Sequence, residues 1–185
     1  MSQRNPRQYR LLAVALSSRG FGYAVLEGEY SLIECGAKSV KGRDKNGQCV
    51  LRVKKLVEFY RPDVLALQDA TAKGPRRAPR IQTLNRRIKE MAKKHKLKVA
   101  AFSGKQVRGL LMGNEKATKH EMAEILASQF PNELASRLPP KRRPWMSEDG
   151  RMDIFGAVAL AAAFRVDEVN LHPRMSGTVV MHWKV

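Results

Sequence analysis

Hydrophobic positions come first in short unbroken runs and later at the three-to-four-residue spacing of helices. Leu11-Leu12-Ala13-Val14-Ala15-Leu16 is apolar throughout, as a central strand covered on both faces must be. Ser17-Ser18-Arg19-Gly20 interrupts it, and Gly22-Tyr23-Ala24-Val25-Leu26-Glu27 predicts a second strand. A third follows the Gly28-Glu29-Tyr30 turn over residues 32–40, which makes the opening an antiparallel meander. Leu51, Val53, Leu56, Val57 and Tyr60 then predict a helix over 49–60, stopped by Pro62. Val64-Leu65-Ala66-Leu67 is a fourth strand.

Strand and helix alternate from there. Ile81, Leu84, Ile88 and Met91 share one stripe of a helix over 80–95, and residues 98–102 form a fifth strand. A short helix covers 106–112. Thr118-Lys119-His120-Glu121 has the Thr-x-x-Glu form of a capping box and opens a helix that ends before Pro131. The segment from Pro139 to Trp145 is a loop. A last helix starts at Asp149 or Gly150 and is apolar nearly all round through Phe155, Ala159 and Phe164, so it is buried. The order predicts an α/β domain: a mixed five-stranded sheet flanked by helices on both faces. Beyond it, Val179, Met181, Trp183 and Val185 alternate with Thr178, Val180, His182 and Lys184, which suits a short extra strand. The expected division is a basic tail over 1–8, one domain over 9–168 and a C-terminal extension over 169–185.

Composition supports a packed domain, with 43% hydrophobic and 28% charged residues in 185. The charge changes the picture: 35 Lys and Arg against 17 Asp and Glu leave a net +18. Folding does not require that excess, and nucleic acids are the commonest polyanions available to it. An anionic membrane would call for an amphipathic basic helix, and no apolar run reaches the ~20 residues of a membrane span. No membrane partner is therefore expected. The N-terminus lacks the apolar segment of a secretory signal, and Cys35 and Cys49 are too few for a disulfide framework. The expected location is cytoplasmic, in association with the nucleoid.

The excess is concentrated. Residues 73–98 hold eleven Lys or Arg and one acid, Glu90. Lys73, Arg76, Arg77 and Arg80 sit in or beside a Gly- and Pro-containing loop, and Arg86, Arg87 and Lys89 continue onto the helix. Charge runs are usually solvated faces, but such faces mix signs and this one does not. Arginines so placed can clamp phosphates bidentately. Lys141, Arg142 and Arg143 precede Trp145, which suits either base stacking or a cover over the end of the core, the latter being slightly favoured for a lone Trp. Lys105, Arg108, Lys116 and Lys119 extend the basic set. Phe21 and Tyr23 read as packing residues. His95, His120, His172 and His182 lack metal-ligand spacing, and no phosphate-binding Gly-rich loop is present.

Four segments, in this order, resemble the RuvC-like branch of the ribonuclease H-like superfamily, which includes Holliday junction resolvases. Residues 13–26 look like its opening hairpin, and Pro62-Asp63-Val64-Leu65-Ala66-Leu67-Gln68-Asp69 like its fourth strand. Residues 117–121 resemble the start of its penultimate helix, and Asp153-Ile154-Phe155-Gly156-Ala157-Val158-Ala159-Leu160-Ala161 its closing helix. The likeness covers about residues 9–166. It implies two divalent metals, usually magnesium, held by carboxylates of the first strand, fourth strand and last helix for phosphodiester hydrolysis.

Those carboxylates are mostly replaced. The family's first-strand aspartate falls on Ala15, its fourth-strand glutamate on Gln68, and its second helix aspartate on Gly156. Asp153 alone is kept. The resemblance thus implies a nucleic-acid-binding protein, for branched or duplex DNA rather than RNA, with a degraded catalytic centre and no expected cofactor. The rival is an active endonuclease using magnesium or manganese on relocated acids: Asp69, Glu148, Asp149 and Asp153. Asp149 has an ordinary role as a helix cap, and Asp153 as an acid facing the helix dipole. A third reading is a protein- or RNA-binding scaffold. Resolvases of this family act as dimers, which makes a homodimer a further expectation.

Overall fold

The computed structural model describes residues 10–28, 31–70 and 78–171. Strands β1 (Arg10–Leu16), β2 (Gly20–Glu27) and β3 (Ser31–Ser39) form the meander. Helix α1 (Lys45–Tyr60) leads to β4 (Val64–Gln68), α2 (Pro79–Lys94) and β5 (Lys98–Phe102). Helices α3 (Gly104–Met112), α4 (Lys119–Gln129), the short α5 (Pro131–Leu134) and α6 (Met152–Leu171) complete the order, with a 3₁₀ turn at Ala135–Arg137 after α5. The sheet runs β3-β2-β1-β4-β5. β1 is antiparallel to β2 and parallel to β4, and β4 is parallel to β5. The architecture is the mixed, helix-flanked α/β sheet that the hydrophobic pattern predicts.

Alternation along β1 feeds two cores. Leu11, Ala13 and Ala15 face a layer made by α6 with α3, α4 and α5, while Leu12, Val14 and Leu16 face α1 and α2. A strand with a helix layer on each face can be apolar at every position, and β1 is so from Leu11 to Leu16. α6 is buried along most of its length because it lies across β1 and β2 with α3 and α4 packed beside it. Phe21 and Tyr23 are buried in the α1/α2 core, as packing residues.

Boundaries differ from expectation where local polar chemistry outweighs apolar periodicity. α1 starts a turn early, because Asp44 accepts a hydrogen bond from the Gly47 amide at 2.8 Å and caps a polar first turn. α3 starts at Gly104 behind a capping box made by Ser103 and Gln106. The box at Thr118 and Glu121 opens α4 as predicted. α6 begins at Met152, later than Asp149 or Gly150, since residues 149–151 form a turn: Asp149 accepts from the Arg151 amide at 2.9 Å. The tail over 1–8 and the alternating segment 178–185 lie outside the described residues.

α6 approaches the sheet closely at its first turn. A Cβ on Gly22 of β2 would lie 1.8 Å from the Asp153 carbonyl oxygen, so no larger residue fits beneath the helix there. Gly22 pairs with Ala15 across the β1–β2 ladder. Two small residues thus seat the helix that carries Asp153.

Candidate nucleic-acid interface

The parallel strands β1 and β4 end side by side, and their carboxyl ends open beneath α6. Clefts at this position are the usual ligand sites of α/β sheets. A cavity of about 430 Å³ lies there. Ala15, Gln68, Asp153 and Gly156 all line it, so the fold gathers the four positions that the resemblance aligned. Its floor is apolar, with Val107, Met122, Phe155, Ala159 and Leu160, and its rim carries Ser17, Arg19, Arg108, Lys119 and Glu148.

The floor is tight where the family's acids would stand. A Cβ at Gly156 would be 3.3 Å from the Ala15 Cβ. The two positions nearly touch, and neither offers a ligand atom. Asp153 does face the cavity, but its Oδ2 accepts a hydrogen bond from Ser17 Oγ at 2.7 Å. Burial pushes its carboxyl above the usual carboxylate range, opposed by the Ser17 hydrogen bond and the nearby Arg19 and Lys119 cations. Gln68 is held at the strand end by its own carbonyl, which accepts from the buried Asn85 amide at 2.8 Å.

The other acids named above are engaged or turned elsewhere. Glu148 accepts from Lys119 Nζ at 2.7 Å, and its carbonyl accepts from Arg19 at 2.7 Å. Asp149 binds the Arg151 guanidinium and amide, which hold its carboxyl down to about 2. Asp69 follows the last residue of β4 and does not line the described cavity. Two hard cations need several carboxylate oxygens between them. The residues present do not fit such a pair: of four family positions one carries a carboxylate, and among the described residues no cluster of three or more His, Cys, Asp or Glu side chains is suited to a metal.

The basic residues separate into different roles. Arg80 is part of the scaffold: its guanidinium donates to the Ser17 and Ser18 carbonyls at 3.0 Å each and to Asn46 Oδ1 at 2.8 Å. Arg108 donates through Nε to the Glu115 carbonyl at 2.7 Å while lining the cavity. Lys119 stands on its rim, paired to Glu148. Lys105, Lys116, Arg86 and Arg87 are exposed, Arg86 lying 3.9 Å from Glu90. Lys73, Arg76 and Arg77 lie outside the described residues.

Lys141, Arg142 and Arg143 are exposed on the loop before α6, where Arg142 Nε donates to the Met146 carbonyl. Trp145 is 76% exposed, with the Arg143 guanidinium 5.7 Å from its ring centre. The expectation that it covers the core is therefore corrected: the loop carries it outward, and β-sheet and α6 are already sealed without it. Arg19 and Ser17 were not singled out by spacing or charge density, since they sit in a three-residue hairpin turn whose position over the cleft depends on the β1–β4 pairing. Arg19 also joins a second groove, of about 330 Å³, lined by Lys38, Ser39, Arg151 and Asp153.

This arrangement defines a ribonuclease H-like domain whose cleft lies at the ends of β1 and β4 under α6. Among solved structures it is similar to RuvC of Thermus thermophilus, with a TM-score of 0.64 and 17% identity over 90% of this chain and 96% of that one. It is also similar to the yeast mitochondrial Holliday junction resolvase Ydc2, with a TM-score of 0.63 and 12% identity over 93% of this chain and 84% of that one. Fowlpox virus resolvase, solved with Holliday junction DNA, matches with a TM-score of 0.55 and 14% identity over 85% and 99%. No protein-family model matches the sequence, and no curated protein matches it. The chain has a ribonuclease H-like fold, similar to that of RuvC. Among the described residues, no helix is long and apolar enough to cross a membrane.

Proposed function

We propose that this protein binds branched DNA through the cleft and its basic rim, and does so without cutting it. The observation that carries the reading is the cleft floor. Where a metal-dependent resolvase of this fold needs a carboxylate cluster, this chain has Ala15, Gln68 and Gly156, with β1 and α6 nearly in contact. Cations stand around the cleft where those acids are absent. Arg19, Arg108 and Lys119 line the cavity, and the chain as a whole carries a net charge of +18. With most acids gone, a phosphate can enter without a metal to screen it. Two resolvases of the same fold have been solved with Holliday junctions, which makes a four-way junction the first substrate to try.

The rival reading, a nuclease built on relocated acids, has little geometric support, because Glu148 and Asp149 are paired to Lys119 and Arg151. The test is binding and cleavage of four-way, duplex and RNA substrates with magnesium and with manganese. Tight, salt-sensitive junction binding without cleavage is expected. Metal-dependent cutting abolished by Asp153→Asn would overturn the reading. Restoring Ala15→Asp, Gln68→Glu and Gly156→Asp together should create metal binding, with β1 and α6 giving by a few tenths of an ångström at Ala15 and Gly156.

A further inference from the structure

The cavity that replaces the acid cluster is unlike a groove made only for backbone phosphate. Phosphate binding needs donors and cations, and an apolar floor adds nothing to it. Here Ala15, Val107, Met122, Phe155, Gly156 and Leu160 line the interior, while cations stand at the mouth. At about 430 Å³ the cavity falls within the roughly 300–1,000 Å³ range of small-ligand clefts. A nucleotide has the same division: a flat, weakly hydrated base and a charged phosphate.

We propose that this cavity receives one unpaired nucleotide of the bound strand, base inward and phosphate at the mouth. The inference rests on the nucleic-acid-binding reading and names the substrate feature that the same site selects. Lys119, Arg108 and Gly104, the first residue of α3, all line the cavity, and the two cations are the groups that would meet the phosphate. Gln68 brings a side-chain amide to the cavity wall, with a donor and an acceptor in the pattern that pairs with adenine edges. Its backbone is anchored by Asn85, so the strand end that carries the amide is fixed. Ser17 Oγ and Asp153 add polar atoms at the same wall. A paired base cannot reach the floor without leaving its stack, and that cost is least for a base already unpaired, as at a bulge or an imperfect branch point.

A substitution can fill the mouth without disturbing the backbone. A Cβ at Gly104 would meet the Arg108 guanidinium at 3.3 Å and the Gln68 amide at 3.6 Å, both ends of flexible side chains. The experiment compares a duplex carrying one unpaired 2-aminopurine with the same duplex fully paired, by titration and by 2-aminopurine fluorescence. The wild-type protein should bind the unpaired form at least about fivefold tighter, with fluorescence changed on binding. Gly104→Leu should bring the ratio close to one, and Gln68→Leu should reduce it for an unpaired adenine more than for an unpaired pyrimidine. Folding of both variants is checked by thermal unfolding.

Clear binding with equal affinity for the two duplexes would overturn the inference and leave the DNA-binding reading intact. No binding to either duplex or to a four-way junction would overturn both. Adenosine monophosphate, titrated as competitor, separates the two sources of the ligand. Competition at concentrations far below millimolar would show a free-nucleotide site and overturn the strand-bound form of the proposal.

Discussion

The two ends of β1 handle charge in opposite ways. At its start, the Arg10 guanidinium meets Glu27 at 2.6 Å and the Tyr60 carbonyl at 2.6 Å, while the Arg10 amide donates to Asp63 at 2.8 Å. That end is a closed account of donors and acceptors joining β2, α1 and β4. At its finish, Ala15 and Leu16 open onto a cavity lined by Arg19, Arg108 and Lys119 with Glu148 and Asp153, whose cations lean on carbonyls and on Glu148. A matched set of charges holds elements together; an excess held in place by neutral carbonyls remains able to attract an anion. The same residue type, arginine, is structural at one end and available at the other.

The largest contrast should appear in DNA binding. Arg108→Ala with Lys119→Ala should weaken junction binding by about tenfold or more at low salt and lower the salt slope by about two. Arg10→Met, at the opposite end, should leave both unchanged. Equal effects from the two ends, measured by titration over a salt series, would mean that the protein's overall charge and not the cleft attracts DNA.

Arg80 tests the boundary between the two roles. Its hydrogen bonds to Ser17, Ser18 and Asn46 predict that Arg80→Met costs about 1–3 kcal/mol in chemical denaturation with the salt slope unchanged. A slope reduced by about one, with stability intact, would move Arg80 to the binding surface.

Glu148 offers a smaller effect of opposite sign. Its carboxylate occupies Lys119 at 2.7 Å, a place that a phosphate would otherwise take. Glu148→Gln should therefore tighten junction binding by about threefold. The gain should vanish in a Lys119→Ala background, because no competed cation remains.

The smallest effect concerns Asp153 against Asp149. Burial raises the Asp153 carboxyl in the folded protein, so folding favours its protonated form; the charged form lowers stability at neutral pH. Asp153→Asn, which keeps an acceptor for Ser17, should raise the melting temperature by about 2 °C at pH 7. That advantage should shrink as pH falls through the Asp153 pKa toward about 4. Asp149, held down to about 2 by Arg151, should behave oppositely: its contribution is present at neutral pH and fades as acid protonates it. Thermal unfolding from pH 3 to 8 separates the two.

Much of this molecule follows from short-range pattern. The unbroken run of β1, the alternation of strand and helix, the capping box at Thr118 and the buried character of α6 need only side-chain period and local hydrogen bonding, and those are written residue by residue. The four positions that the resemblance aligned, which the fold brings to one cavity, each lie in a short ordered motif for the same reason. What the sequence could not decide is who meets whom. Arg80 belongs to a dense basic run, yet contacts across more than 60 residues of chain make it a clamp on the β1–β2 turn. Trp145 looks equally able to pack or to project, and only the sealing of the core by α6 leaves it outside. Ser17 and Arg19 acquire a place in the cleft because β1 pairs with β4 and Gly22 lets α6 settle on the sheet. Such roles depend on distances between elements remote in the chain, and those distances exist only once the chain has packed.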